Sequence, residues 1–339
     1  MNQRLRLLAA LLSLMVFPVT IFAQRIVFDS SVDICSKPGF QVEWDSESQR
    51  MIAYRDTSEP ACPSVRVLSS SGSNVTLYPL KDFPGANYVD IWAVTGSAIG
   101  EVIISATLGY GPRNTRPIPI KSLLLSYDAT GTLRKVWNVD PYLHHHVAAD
   151  SAGNVFALGE KGGASGGDYP LLIKYSPTGE VLGETLSTGL FSSKDAVVVS
   201  GSPNGEAKIF IKKDHLLVWI AATQELFTFS LDGVLLSRSS FSSAIQQMVD
   251  LSGGTRVRVL EVGVDSNQGI VFQVLLRQKL PAKAKVALAR VTPDGSFENW
   301  IEPSSDGDVH RFLGLTADDK NVFLEKVSQK TVAIDLNRR

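Results

Sequence analysis

Ala148-Ala149-Asp150-Ser151-Ala152-Gly153-Asn154-Val155-Phe156-Ala157-Leu158 sets out the repeating element of this chain: an apolar run, a tight polar turn, then a second apolar run. Alternating apolar runs bounded by Asp, Asn and Gly read as a β-hairpin. Val262–Phe272 and Leu313–Leu324 say the same thing with other residues. A second phrase sits between these copies, at Tyr127–Leu133, Tyr175–Val181, Phe229–Leu235 and Val291–Phe297, each with a glycine in its turn. Two hairpins alternating at a long period mark a repeat architecture.

The first phrase recurs at Phe40–Tyr54, Asp90–Ser105, His146–Leu158, Ala196–Ile211, Leu260–Val274 and Phe312–Glu325, with starts 50 to 64 residues apart. The second fills the gaps at Val65–Leu77, Ser122–Trp137, Leu171–Leu186, Leu217–Leu236 and Val286–Ile301. Each unit is then four short strands rich in Val, Ile, Leu and Phe, which is the content of a propeller blade. The expected fold is all-β: a six-bladed β-propeller of four-stranded antiparallel blades in one domain, residues 24–339. The last unit lacks a strand, and Arg25–Asp29 offers it, so the N-terminal strand is expected to close the last blade and remove an exposed edge.

The chain resembles the six-bladed propellers of the NHL and TolB-like type. The resemblance rests on Asp-x-x-Gly-Asn-Val-Phe at Asp150–Phe156 and on the Pro-Thr-Gly and Pro-Asp-Gly turns at Pro177–Gly179 and Pro293–Gly295. These motifs serve folding: Asp150 is expected to bond nearby backbone and Gly153 to supply positive φ. They imply shared architecture and no particular activity. Turns Thr95–Gly100 and Ser200–Gly205 depart from the phrase.

Met1–Ala23 reads as an export signal, with Arg4 and Arg6 ahead of an apolar core at Leu7–Val16 and a cleavage site after Ile21-Phe22-Ala23. Ile21 is large for that site, so an uncleaved anchor is the alternative. No later apolar stretch is long enough to span a membrane. The expected destination is secreted or periplasmic, as a monomer.

The whole chain carries 33 basic and 34 acidic residues, a balance that gives no sign of nucleic acid as a partner. Two cysteines occur, Cys35 and Cys62, bracketing the first hairpin. In an oxidising compartment they can pair; otherwise they are two buried thiols.

Loops at one rim of a propeller carry function while strands carry packing. That rim is expected to gather Tyr110, Arg113 and Arg116, His144 to His146 with the glycine loop Gly159–Gly167, Lys212, Lys213 and His215, Arg277, Lys279, Lys283 and Lys285, and His310 and Arg311. A cationic rim steers an anionic small ligand or an acidic protein surface; the alternative is a set of solvated loops. Strand alternation places His144 and His146 on one face, and with His310 they could hold a divalent metal and its water. That would make the protein a metal-dependent hydrolase or lyase, lactonase-like, whereas a set of hydrogen-bonded rim histidines would leave it a binding module. Gly163–Gly167 matches Gly-x-Ser-x-Gly, but a strand follows it where the nucleophile elbow needs a helix. Trp44, Trp92, Trp137, Trp219 and Trp300 read as core or inter-blade packing. Ser243–Val249 is the one helical stretch, with Ile245, Met248 and Val249 on one face.

Overall fold

A computed structural model describes residues 25–26, 41–46, 48–69, 74–112, 120–162, 168–191, 207–251, 257–276, 285–301, 311–316, 319, 321–324 and 331–334. Their strands form six four-stranded antiparallel sheets. Five are blades cut from one continuous stretch each. The first holds β2 (Gln41–Asp45), β3 (Arg50–Tyr54), β4 (Val65–Ser69) and β5 (Asn74–Leu77), where β1 is Arg25–Ile26. The second holds β6 (Tyr88–Gly96), β7 (Val102–Gly109), β8 (Ile120–Tyr127) and β9 (Leu133–Asn138). The third holds β10 (Tyr142–Ala149), β11 (Val155–Lys161), β12 (Pro170–Tyr175) and β13 (Val181–Ser187). The fourth holds β14 (Ala207–Lys212), β15 (His215–Ile220), β16 (Glu225–Ser230) and β17 (Leu235–Ser240). The fifth holds β18 (Val257–Val264), β19 (Ile270–Leu276), β20 (Lys285–Val291) and β21 (Phe297–Ile301). The remaining sheet is composite: β22 (Arg311–Leu315), β23 (Asn321–Leu324) and β24 (Thr331–Ile334) run side by side, and β1 pairs with β24 through Arg25 opposite Val332 and Ile26 opposite Thr331.

The chain is thus an all-β propeller of four-stranded antiparallel blades. The turns that revealed it work as the residues suggest. Asp150 Oδ1 accepts from the amides of Ala152 at 2.9 Å and Asn154 at 2.8 Å, and Gly153 sits at φ 82°. The second phrase closes through Gly131, Gly179, Gly233 and Gly295, all at positive φ, each followed by a register shift in the outer hairpin. A glycine in the left-handed region followed by an extra residue is the device that twists a three-residue hairpin correctly.

Blade four differs from its expected frame. Ala196–Ile211 was to be its first hairpin, but β14 and β15 span 207–220, so Lys212, Lys213 and His215 form the turn between the first and second strands. That turn lies at the opposite end of β14 from its start, so these three residues do not share the rim expected for them.

Every blade buries both faces of its middle strands. The largest such cluster between blades four and five packs Trp219, Phe241, Met248 and Phe272 together. Trp219 meets Phe272 edge-on at 5.2 Å and Phe241 at 5.9 Å. Each such side chain contributes about 1.5–3 kcal/mol by leaving water. The expected helix is present as α1 after a four-residue turn of helix at Pro79–Asp82; α1 spans Ser242–Leu251 and buries Ala244, Ile245 and Met248 in this cluster. Trp44, Trp92 and Trp137 also pack between elements: Trp44 Nε1 donates to Leu315 O at 2.9 Å, and Trp92 Nε1 to Thr107 Oγ1 at 2.8 Å. The Trp300 side chain lies outside the described residues.

Among the described residues, no helix is long and apolar enough to cross a membrane. The export signal falls outside the described residues, as does Cys35. Cys62 is disulfide-bonded, and no described cysteine is free.

Candidate functional site

The innermost strands β2, β6, β10, β14, β18 and β22 all contribute to one chamber, a cavity of about 110 Å³ on the propeller axis. Half of its described lining residues are aliphatic, Val94, Ala148, Ile209, Val262, Leu313 and Leu315 among them. Polar groups enter at Glu43, Asp45, Ser46, Thr95, His146 and Lys208.

A chain of charges surrounds the start of these strands. Glu261 Oε2 accepts from Lys208 Nζ at 2.5 Å, and Glu261 Oε1 accepts from Arg311 Nη2 at 2.6 Å and Nε at 3.0 Å. These contacts tie blades four and five to the composite sheet. Burial alone would push the Glu261 carboxyl up, but Lys208 and then Arg311 outweigh it and hold the group below the usual carboxylate range. Burial works against the Arg311 charge, and the Glu261 carboxylate more than restores it, raising the guanidinium above its ordinary value. Across the mouth, Tyr54 Oη donates to Glu43 Oε1 at 2.8 Å. Burial, followed by Glu43, pushes the Tyr54 phenol well up.

The three histidines part company. His144 pairs with Gly159 and His146 with Leu158, so His145 is the extra residue of a β-bulge in β10. Gly159 permits this: a Cβ there would run into the Leu143 carbonyl oxygen. Alternation fails at a bulge, and with it the expectation that His144 and His146 share a face. His144 is 1 % exposed, its Nε2 2.9 Å from Tyr175 Oη and its ring stacked parallel to Tyr142 at 5.9 Å. Burial, then the neighbouring His145, pushes His144 down to about 3. His145 stands edge-on to Trp92 at 5.1 Å, with Nε2 3.6 Å from Glu160 Oε1; burial lowers its basicity against the pull of Glu160. His146 faces the chamber, and its Nε2 has no hydrogen-bond partner. Burial first, then His145 and Lys208, pushes it down to about 3.

Of the residues expected at the rim, Arg311 and His146 therefore stand at the channel, while His144 points into blade three. Tyr110 follows β7, packs against the core of blades one and two, and carries Lys121 Nζ 5.6 Å from its ring centre. Arg113, Arg116, Arg277, Lys279, Lys283, His310 and the loop Gly163–Gly167 lie outside the described residues. Sequence reading missed Glu43, Tyr54, Lys208 and Glu261. Their one signal is a charge set inside an apolar first strand, as in Leu260-Glu261-Val262.

Among the described residues, no group of three or more His, Cys, Asp or Glu is placed to hold a metal ion. The polar groups of the mouth are engaged with one another, so the arrangement is suited to holding charge in place and to presenting it at the rim.

No protein-family model matches the chain, and no curated protein matches it. Solved structures do. A candidate exported protein from Bacteroides fragilis superposes with TM-score 0.50 at 10% identity, over 88% of this chain and 82% of that one. A member of the DUF4221 family from Bacteroides vulgatus gives 0.49 at 9% identity, over 91% and 95%. A gluconolactonase from Xanthomonas campestris gives 0.45 at 10% identity, also over 91% and 95%. At such identities the likeness is one of fold.

Proposed function

We propose that the chain is an exported six-bladed propeller, its ring closed in the sixth sheet by the N-terminal strand, and that it is a binding module without chemistry of its own. It takes an acidic protein surface on the rim where the innermost strands begin. One observation carries the reading. Arg311 is anchored to Glu261 inside the mouth, yet its side chain stays 46% exposed at the rim. The sequence reading expects Arg113, Arg116, Arg277 and Lys279 on the connections of the same rim. If those cations gather at the rim as the sequence reading expects, they favour an anionic partner through their field more than through contacts.

The test is binding of a fluorescent poly-glutamate peptide to the purified mature protein at several ionic strengths. Binding should weaken steeply with salt and fall on replacing Arg113, Arg116 and Arg277 with Ser. Absence of salt-dependent binding overturns the reading. Stoichiometric zinc or calcium in the purified protein would overturn it in another way, in favour of the metal-dependent hydrolase or lyase.

A further inference from the structure

The axial chamber has chemistry that the rim reading does not use. One side brings two donors together: His146, whose Nε2 lacks a partner, and Lys208. Lys208 gives one N–H to Glu261, and an ammonium has two more. His146 and Lys208 are close enough for the ammonium to depress the imidazole's basicity. From blade one the chamber receives two carboxylates instead: Glu43, of which one oxygen accepts from Tyr54, and Asp45, whose Oδ2 accepts from Thr95 Oγ1 at 3.0 Å. Aliphatic side chains, Val94, Ala148 and Ile209 among them, supply an apolar part of the same wall.

A simple anion would gain Lys208 but meet the Glu43 and Asp45 charges, and a simple cation would gain those carboxylates but meet Lys208. A molecule with both charges a few bonds apart satisfies both sides. Size narrows the class further: a cavity near 150 Å³ holds benzene, so one of about 110 Å³ fits a ligand of about five or six heavy atoms. We propose that the chamber is a binding site for a small zwitterion, an α-amino acid of alanine's size, with its carboxylate on His146 and Lys208, its ammonium on Glu43 and its methyl against the aliphatic wall. The neutral imidazole suffices as a donor. The proposal does not depend on the rim reading, since Arg311, the described anchor of that reading, does not line the chamber.

The experiment titrates the full mature protein with L-alanine, propionate and ethylamine by calorimetry and by ligand-observed NMR. Alanine should bind saturably, and each of the other two more weakly by roughly tenfold or more, the worth of one charge-assisted hydrogen bond. Lys208→Met and Glu43→Gln should each weaken alanine binding by a similar factor, and Ala148→Leu, which fills the chamber, should abolish it. Replacing Arg113 and Arg116 should leave alanine binding unchanged, which separates this site from the rim. The three probes on the unaltered protein decide the matter even if a variant fails to fold. No saturable alanine binding, or propionate binding as tightly as alanine, overturns the proposal.

Discussion

Arg311 Nη2 stands 2.6 Å from Glu261 Oε1, across 50 positions of sequence, and so fastens the first strand of the composite sheet to that of blade five. The Glu261 side chain is only 10% exposed and serves Lys208 as well. Glu261→Gln keeps the shape but takes from Lys208 and Arg311 the carboxylate they share. Breaking a buried pair this way costs about 3–5 kcal/mol, and the partial exposure of Arg311 reduces that to about 2–3. Arg311→Met, which leaves Lys208 paired, should cost less. Urea midpoints rank the two, and equal losses would show that Glu261 does not organise the mouth.

Acid should weaken the fold before it titrates most carboxylates. His144 is pushed from 6.5 to about 3 by burial, with His145 adding to it, while Tyr142 and Tyr175 are the groups facing its ring. Because the folded value is the lower one, the unfolded chain binds the extra proton. The His144 contribution is complete above the unfolded value and is lost as pH falls from about 6.5 toward 3. By pH 5 this loss amounts to about 2 kcal/mol. Urea midpoints at pH 7.5 and 5 measure it, and His144→Phe should reduce the difference by this amount while the similar contribution of His146, also held at about 3, remains. An unchanged slope in that variant would place the acid sensitivity elsewhere.

Removing Gln24–Asp29 should bare the outer edge of β24 and lower a single cooperative melting transition, because an unpaired edge weakens a whole ring of sheets. A melt that keeps its midpoint and cooperativity would show that β1 does not close the ring.

Pairing of Cys62 with Cys35 would close a loop of 27 residues. Chain entropy values such a loop at about 3–4 kcal/mol, so reduction should lower the melting temperature by several degrees. Non-reducing mass spectrometry reads the bond directly, and two thiols that alkylate in the native protein would exclude it.

Where turns carry glycine, the sequence showed them, as at Gly153 and Gly179. Blade four was misframed because its turns hide. Lys213 and Gln224 take the left-handed conformation at φ 56° and 57°, which glycine would have advertised. The apolar run Leu216–Ile220 was therefore assigned to the wrong hairpin position. At the site, alternation was the wrong rule for His144 to His146, and Gly159 was the overlooked sign of the bulge. The charges of the mouth were beyond local reading altogether, since Lys208, Glu261 and Arg311 meet only through the arrangement of blades.

Bulges like the one in β10 recur in β6 at Trp92, in β18 at Leu260 and in β22 at Leu313. Each changes the parity of its strand halfway along, so the upper and lower halves obey independent inside–outside rules. In these four strands the residues ahead of the bulge can then be changed, by drift or by design, without rewriting the pattern beyond it, whereas β2 and β14 pair without a break and keep Glu43 and Lys208 in step with the chamber wall. A propeller built this way has two separately editable storeys in four of its six sheets.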